Sequence, residues 1–223
     1  MTWDYYGDPR PDIQRLVHPE ARTFLDVGCG QGAFAGALKE AGASKVAGIE
    51  LTHEAAERAR TRIDVLVEGD VRDVDLPFER EEFDYIVFAD VLEHVPEPER
   101  VLRRMLPFLK PGGRVVVSVP NMRFYMVLLR LVFDRWSYTD SGVRDRTHLR
   151  IFTRRSFVRM LNDEGLAVER LERNYRLIED QSRIGRVGAL ATRVARKTVA
   201  PLLFRDLMAF QYVAVARLDP PTR

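Results

Sequence analysis

The chain of 223 residues contains one cysteine, Cys29, and only four histidines. One cysteine cannot form an intrachain disulfide, which excludes the cysteine-rich scaffolds of small secreted proteins. The longest apolar run, residues 126–133, is interrupted by Arg130 and is far shorter than the roughly 20 residues that a membrane-spanning helix needs. The first residues are polar and acidic, unlike a secretory signal peptide. We therefore expect a cytoplasmic protein.

Lysine is also scarce, with 4 lysines against 31 arginines, and the net charge of +2 is unevenly distributed. Residues 1–100 carry 22 acidic and 11 basic side chains, whereas residues 101–223 carry 11 acidic and 24 basic ones. This asymmetry indicates either an anionic partner of the second half or a solvated basic surface. Residues 183–205 have six basic and no acidic side chains, which is compatible with peripheral contact at the inner membrane face, with a lid or with a dimer contact.

Short apolar stretches alternate with amphipathic ones over the first 120 residues. The pattern predicts strands at 23–27, 45–50, 64–67, 83–88 and 114–119, with helices at 33–41, 53–62 and 97–109. Such alternation is typical of βαβ units, which form a parallel sheet with helices on both faces. Ligands of these sheets bind in the crevice outside the carboxyl ends of the strands.

The rhythm changes after Pro120. Residues 167–174 and 210–218 alternate like antiparallel edge strands, and Thr153 is a suitable N-cap for a helix over 153–162. We expect a single α/β domain over 1–223, with a Rossmann-like, doubly wound sheet of seven strands whose last strand is antiparallel. Residues 22–121 would form the cofactor-binding core, and 122–152 and 175–209 would form a helical or loop cap.

A glycine loop, Gly28-x-Gly30-x-Gly32, follows the first predicted strand and opens a helix. Glycines let the backbone approach a ligand closely, and the helix N-terminus offers free N–H groups. Glu50, 18 residues beyond Gly32 at the end of the second strand, could hold ribose hydroxyls. The loop alone also permits a dinucleotide-binding oxidoreductase, since Gly28-x-Gly30-x-x-Ala33 is an accepted variant of that fingerprint.

Acidic residues at two strand ends favour another ligand. Asp26 lies two residues before Gly28, where a carboxylate suits an ammonium and a sulfonium better than a pyrophosphate. Asp70, after the third strand, suits an adenine amino group. The segments FLDVGCGQG, VAGIE, EGD, FDYIVFADVLEHV and LKPGGRVVVSVPN, in this order and spacing, resemble the successive motifs of class I methyltransferases over residues 22–121.

The resemblance implies S-adenosylmethionine as cofactor. It implies Asp26, Gly28 and Gly30 around the methionine part, Glu50 on the ribose with Leu51 beside it, Asp70 and Val71 at the adenine, and Asp90 near the sulfonium. The segment Ala89-Asp90-Val91 differs from the Asn/Asp-Pro-Pro-Tyr/Phe segment of related base and glutamine N-methyltransferases, so we expect transfer to a hydroxyl of a small-molecule, sugar or glycolipid acceptor. An RNA methyltransferase and a non-catalytic S-adenosylmethionine-binding module are the alternatives, and we do not expect a nucleic-acid partner.

Three residues are candidates for the chemistry on the acceptor. His148 lies in a polar, arginine-flanked stretch and is our candidate general base, because imidazole titrates near neutral pH. Glu93 and His94 resemble the Leu-Glu-His-Val sequence of quinone-pathway O-methyltransferases. Some of those enzymes bind a divalent metal there with a Glu-x-x-Glu-His pattern, but this chain has Asp90 in place of the first glutamate. We expect no metal, with a site of Asp90, Glu93, His94 and His148 as the alternative.

Overall fold

The computed structural model describes residues 7–175 and 205–219. Its strands are β1 (Thr23–Val27), β2 (Lys45–Glu50), β3 (Val65–Glu68), β4 (Phe83–Ala89), β5 (Leu109–Pro120), β6 (Leu166–Tyr175) and β7 (Ala209–Leu218). Its helices are α1 (Pro11–Gln14), α2 (Ala33–Glu40), α3 (His53–Ala59), α4 (Pro98–Met105), α5 (Tyr125–Val132), α6 (Arg154–Asp163) and α7 (Arg205–Met208). Two short 3₁₀ turns, Leu92–His94 and Leu106–Phe108, flank α4.

The seven strands form one sheet in the order β3-β2-β1-β4-β5-β7-β6. The first five strands are parallel, and β7 runs antiparallel to both β5 and β6. Chain order reverses between β1 and β4, so the carboxyl ends of these two strands border the crevice in which α/β sheets bind ligands. The predicted fold, with seven strands and an antiparallel last strand, is confirmed.

Helices cover both faces of the sheet, and each face has its own apolar core. Side chains of α4 and α6 pack on one face, and those of α1, α2 and α3 pack on the other. Strand β7 contributes side chains to both cores. Ala214 packs in the core with α4 and α6, and Val213 packs in the core with α1, α2 and α3. The prediction that residues 210–218 form an edge strand is therefore wrong: β7 lies inside the sheet, and β6 forms the edge beyond it.

Two predicted boundaries also need correction. The helix expected over 97–109 ends at Met105, since Pro107 lacks the N–H that a continuing helix would use, and a 3₁₀ turn follows. The strand expected at 114–119 is longer than predicted, because β5 already begins at Leu109 and includes residues 110–113. The predicted cap of α6 is confirmed, because Thr153 and Ser156 form a reciprocal capping box.

The segment between β5 and α6 covers one end of the sheet. Val143 is buried with Phe124, Val127 and Phe210, and this small cluster anchors the loop that follows α5. No helix within the described ranges is long and apolar enough to cross a membrane. The basic segment predicted to contact membrane, 183–205, lies outside the described residues except for Arg205.

Candidate active site

A cavity of about 1780 Å³ opens where the carboxyl ends of β1, β2 and β4 meet. Single-ligand pockets are commonly about 300–1,000 Å³, so this cavity has room for a cofactor and an acceptor together. Every residue predicted for cofactor binding or chemistry lines it: Asp26, Gly28, Gly30, Glu50, Leu51, Asp70, Val71, Asp90, Glu93, His94 and His148.

The glycine loop has a backbone that other residues adopt only with strain. Gly28, Gly30 and Gly32 have φ angles of 71°, 54° and 72°. A Cβ on Gly28 would also lie 2.6 Å from Cγ2 of Val91, the residue that follows Asp90 after β4. Glycine at position 28 therefore serves both the left-handed turn and the close approach of two loops at the cavity floor.

Glu50 connects this loop to the end of β2. Its two carboxylate oxygens accept hydrogen bonds from the backbone N–H groups of Gly30 and Thr52, each at 2.8 Å. The side chain is buried, so these bonds fix it in one position at the cavity wall. Each oxygen retains acceptor capacity for a further donor such as a ribose hydroxyl.

Asp26 is a buried carboxyl group at the same end of the cavity. Burial raises its pKa to about 7, with the Arg10 cation opposing this shift and the Glu50 anion adding to it. No hydrogen bond to its carboxylate oxygens occurs within the described residues. A buried carboxylate without a donor is stabilised by a cationic group, so this position fits the ammonium of the methionine part of S-adenosylmethionine.

The predicted adenine end is more exposed. Leu51 is 67% exposed and offers an apolar surface to the cavity, and Val71 is buried beside it. The Asp70 carboxylate accepts hydrogen bonds from the backbone N–H and the guanidinium of Arg72, and these lower its pKa. An adenine amino group would thus share Asp70 with Arg72.

Asp90 is held by a network that reaches across the sheet. Its backbone is left-handed, with φ 58°, and its carboxylate accepts from Arg10 Nη1 at 3.0 Å, Ser118 Oγ at 2.8 Å and Gln211 Nε2 at 2.5 Å. Arg10 also pairs with Asp12, so the segment before β1 is tied to the cavity. Arg10 was not predicted as a site residue, since no sequence motif signals a contact 80 residues away.

Glu93, His94 and His148 form a cluster at the other side of Asp90. One ligand atom from each lies within 4.8 Å of those of the others, and the two imidazole rings are 4.8 Å apart between centroids. Burial, followed by the nearby Asp90 carboxylate, raises the pKa of Glu93 well above its usual value. The Oε2 atom of Glu93 has no hydrogen-bond partner in the described part of the chain. Asp90, the fourth residue of the alternative metal site, lies outside this cluster and pairs with Arg10 instead.

The tautomers of the two histidines follow from their contacts. His148 Nδ1 lies 3.3 Å from the Val143 carbonyl, which can only accept, so Nδ1 carries the proton. Thr147 donates its hydroxyl proton to Asp145 and therefore accepts from His94 Nδ1 at 3.0 Å. Burial, followed by the neighbouring His94, lowers the pKa of His148. The Nε2 atoms of both rings are thus left as acceptors.

A mixed sheet with one reversed strand, a glycine loop after β1 and an acidic residue ending β2 defines a class I methyltransferase, the class that uses S-adenosylmethionine. The chain belongs to the methyltransferase domain family, whose sequence profile matches residues 4–171.

Curated relatives are called ubiquinone biosynthesis O-methyltransferases. The one from Coxiella burnetii strain Dugway is 29% identical over 124 residues, which cover 54% of this chain and 53% of the relative, so the match spans about half the length of that protein. The one from Alkalilimnicola ehrlichii is 28% identical over 204 residues, covering 81% of this chain and 82% of the relative.

Solved structures share the fold at low identity. A SAM dependent methyltransferase from Archaeoglobus fulgidus has a TM-score of 0.65 and 17% identity, covering 92% of this chain and 90% of its own. An S-adenosylmethionine dependent methyltransferase from Mesorhizobium loti has a TM-score of 0.64 and 20% identity, covering 95% and 99%. These likenesses show that the architecture is that of methyltransferases.

Proposed function

We propose that the protein transfers the methyl group of S-adenosylmethionine to a hydroxyl group of a small-molecule, sugar or lipid-linked acceptor. The observation that carries this proposal is that one cavity is lined both by the buried carboxyl groups of Asp26 and Glu50 and by the His148 imidazole. The names of the relatives, which are O-methyltransferases, support a hydroxyl acceptor. The cofactor supplies an electrophilic methyl group on a positively charged sulfur.

In this proposal the residues around β1 and β2 bind and orient the cofactor. Asp26 faces the ammonium group, and the backbone of Gly28 and Gly30 packs against the methionine part. Glu50 accepts from the ribose hydroxyls. Leu51 and Val71 hold the adenine between apolar surfaces, with Asp70 at its amino group, and Asp90 lies near the sulfonium.

His148 removes the acceptor proton. Its Nδ1–H donates to the Val143 carbonyl, so Nε2 presents a lone pair to the cavity. Burial holds the ring in the neutral form that can accept a proton. His94 is fixed by the Thr147–Asp145 pair, and Glu93 is the central residue of the same 3₁₀ turn. Both residues position the acceptor side of the cavity around His148.

A divalent cation is the second candidate arrangement for this cluster. One carboxylate and two imidazoles suit such an ion, and the unpartnered Oε2 of buried Glu93 fits a ligand atom. Glu93, His94 and His148 would hold the ion, which would lower the pKa of the bound acceptor hydroxyl. A chelator that abolishes transfer would favour this arrangement over a metal-free base.

The cofactor assignment is tested by calorimetric titration with S-adenosylhomocysteine. We expect binding by the unaltered protein that strengthens several-fold between pH 6 and pH 7.5, because Asp26 must lose its proton to pair with an ammonium. In Asp26→Asn, binding should be weaker and nearly independent of pH over this range. NADH serves as the control ligand. Absence of S-adenosylhomocysteine binding, or binding of NADH in its place, would refute the proposal.

The role of His148 is tested with an acceptor found by screening sugars, glycolipids and phenols for methyl transfer. We expect His148→Ala to lower turnover by about 10²–10⁴-fold, the usual contribution of a general base, with S-adenosylhomocysteine affinity retained. His18→Ala is the matched control, since the side chain of His18 is 60% exposed and lies outside the cavity. Unchanged turnover in His148→Ala would show that another group removes the proton. Cofactor binding with no transfer to any acceptor would favour the non-catalytic module.

A further inference from the structure

Large apolar side chains that solvent reaches are concentrated in one part of the molecule. Among the described residues, ten such side chains are exposed, and eight of them lie within residues 129–151. Six belong to the second half of α5 and to the residues that follow it, and we call this group the α5 surface: Leu129, Leu131, Val132, Phe133, Trp136 and Tyr138. Isolated exposed apolar residues are ordinary, whereas a group of this size is typical of a surface that docks on another molecule.

Helix α5 has one side toward the cavity and another toward solvent. Met126 and Arg130, four residues apart, line the cavity. Val132 and Phe133 follow Leu129 by three and four residues, so these three side chains share a different side of the helix. Val132 is 76% exposed and Phe133 is 68% exposed. An uncovered apolar side of α5 therefore lies next to the side that forms part of the cavity wall.

Two aromatic side chains continue this surface beyond the helix. The rings of Trp136 and Tyr138 are 5.9 Å apart between centroids and nearly perpendicular. Each side chain combines an apolar ring with one polar N–H or O–H group, and such side chains prefer the boundary between hydrocarbon and water. Their position shortly after an exposed apolar helix is typical of proteins that lie on a bilayer.

The segment that carries the α5 surface is rich in positive charge. Residues 123–155 contain eight arginines and three aspartates. Asp134 is the one aspartate of this segment that is exposed and forms no ion pair with a described residue. Four arginines are exposed and unpaired in the same sense: Arg123, Arg135, Arg150 and Arg155. This excess of exposed positive charge is complementary to anionic lipid headgroups.

The excess of arginine also argues against a second copy of this chain as the partner. A symmetric dimer formed through the α5 surface would bring the same residues of both copies together. The exposed arginines of the two copies would then repel each other, because residues 123–155 have too few aspartates to offset them. Anionic lipid supplies both the opposite charge and an apolar phase.

We propose that the α5 surface docks on a lipid bilayer with anionic headgroups. Val132 and Phe133 enter the acyl region, and Arg135 lies at the headgroup phosphates. This inference goes beyond the proposed function, because docking on a bilayer requires neither the cofactor nor methyl transfer.

The docked helix brings the bilayer close to the candidate base. Val127 of α5 packs in one apolar cluster with Val143, and the Val143 carbonyl lies 3.3 Å from His148 Nδ1. Met126 and Arg130 of the same helix line the cavity. A lipid-linked acceptor held in the bilayer would thus have a short path to the cavity.

The test is co-sedimentation of the full chain with sucrose-loaded vesicles of phosphatidylcholine that contain phosphatidylglycerol as the anionic lipid. We expect binding to these vesicles that is several-fold stronger than binding to vesicles of phosphatidylcholine alone. Phe133→Ser should weaken binding to the anionic vesicles by about tenfold, because a large apolar side chain no longer leaves water. Arg135→Gln should weaken it by about fivefold, which corresponds to the roughly 1 kcal/mol that one basic side chain contributes at an anionic surface.

Each variant has a matched control elsewhere on the molecule. Leu218→Ser removes an apolar side chain that is 39% exposed at the end of β7. Arg58→Gln removes an exposed arginine of α3 that forms no ion pair within the described ranges. Both controls should bind the anionic vesicles as the unaltered protein does. Equal weakening in the controls and in the α5 variants would overturn the inference.

Three further results are decisive. If the protein does not bind the anionic vesicles, or if Phe133→Ser and Arg135→Gln bind them as the unaltered protein does, the α5 surface is not a lipid-docking site. A protein that stays off the vesicles but forms dimers that Phe133→Ser dissociates would assign this surface to a second copy. Titration with S-adenosylhomocysteine separates the two proposals, because its failure to bind would remove the proposed function and leave vesicle docking untouched.

Discussion

Asp84 is a carboxylate that joins the beginnings of two neighbouring strands. It is the second residue of β4 and accepts hydrogen bonds from the backbone N–H groups of Arg22, just before β1, and Thr23, its first residue, each at 2.8 Å. Lys110 Nζ lies 2.8 Å from its other oxygen. Partial burial disfavours the charged form, but the Lys110 hydrogen bond and the backbone donors outweigh it and lower the pKa of Asp84 to about 2. The charged form is therefore the one that the fold stabilises.

We expect Asp84→Asn to lower the free energy of unfolding at pH 7 by about 1–2 kcal/mol, after allowance for solvent screening of a partly exposed pair. Because the folded-state pKa lies below the unfolded value, the contribution of Asp84 is complete above about pH 4 and is lost as the pH falls toward 2. Urea unfolding at pH 7 and at pH 3 should thus show a smaller difference between variant and unaltered protein at the lower pH.

Asp75→Asn is the control for this measurement, because Asp75 is exposed and forms no ion pair with any other residue that the structure describes. Its unfolding midpoint should match that of the unaltered protein at both pH values. The free energy of unfolding of Asp84→Asn and that of the unaltered protein could instead differ by the same amount at pH 7 and at pH 3. That result would mean that the substitution removes a steric or uncharged interaction and not one made by the charged carboxylate.

The roles of single carboxyl groups could be predicted only in part. The sequence places Asp26 and Glu50 at strand ends, and parallel strands bring those ends to one edge of the sheet. The sequence does not show that Arg10 reaches Asp90, because a contact between the N-terminal segment and the end of β4 depends on where α1 packs. The different environments of Asp26 and Asp84, both acidic residues near β1 and β4, likewise follow from burial and donors that only the folded chain defines.

Among the helices and strands, the predicted boundaries are most accurate where the hydrophobic periodicity is strong and polar residues stand at both ends of the element. β1 and β2 begin and end as predicted, since each apolar run is bounded by polar residues and followed by the loop that carries the site. The end of α4 and the start of β5 were misplaced, because Pro107 interrupts an amphipathic pattern and Gly112 and Gly113 are tolerated in an extended strand. Local composition there favours a turn, and pairing with β4 overrides it.

Among the elements that line the cavity, those on the side assigned to the acceptor were predicted least completely. His148 was predicted from its residue type and polar neighbours, whereas Arg130 and Arg144 belong to the segment 122–152, which was predicted only as a cap. What places them is the apolar cluster of Val143 with Phe124, Val127 and Phe210, which joins a loop, a helix and β7. Contacts of this kind depend on long-range packing that a periodic pattern does not encode.

For the whole molecule, the position of β7 decides how the second half of the chain completes the sheet. Its first eight residues are buried because helices cover both faces and strands flank both edges. An apolar strand of this kind has little of the alternation that marks an edge strand, and the short run Val213–Ala216 is the feature that could have indicated burial on both faces.

We expect Val213→Thr and Ala214→Ser each to lower the free energy of unfolding by about 1–3 kcal/mol, the cost of burying a hydroxyl group without a full set of partners. The reason is that Val213 and Ala214 are adjacent in β7 and face opposite cores, and both side chains are buried. Arg217→Gln, at the exposed end of the strand, is the control and should change stability by less than about 0.5 kcal/mol. Urea unfolding of the three variants measures these differences. If only one of the two buried substitutions were costly, one face of β7 would be open to solvent, which would contradict the packing of both its faces against apolar cores.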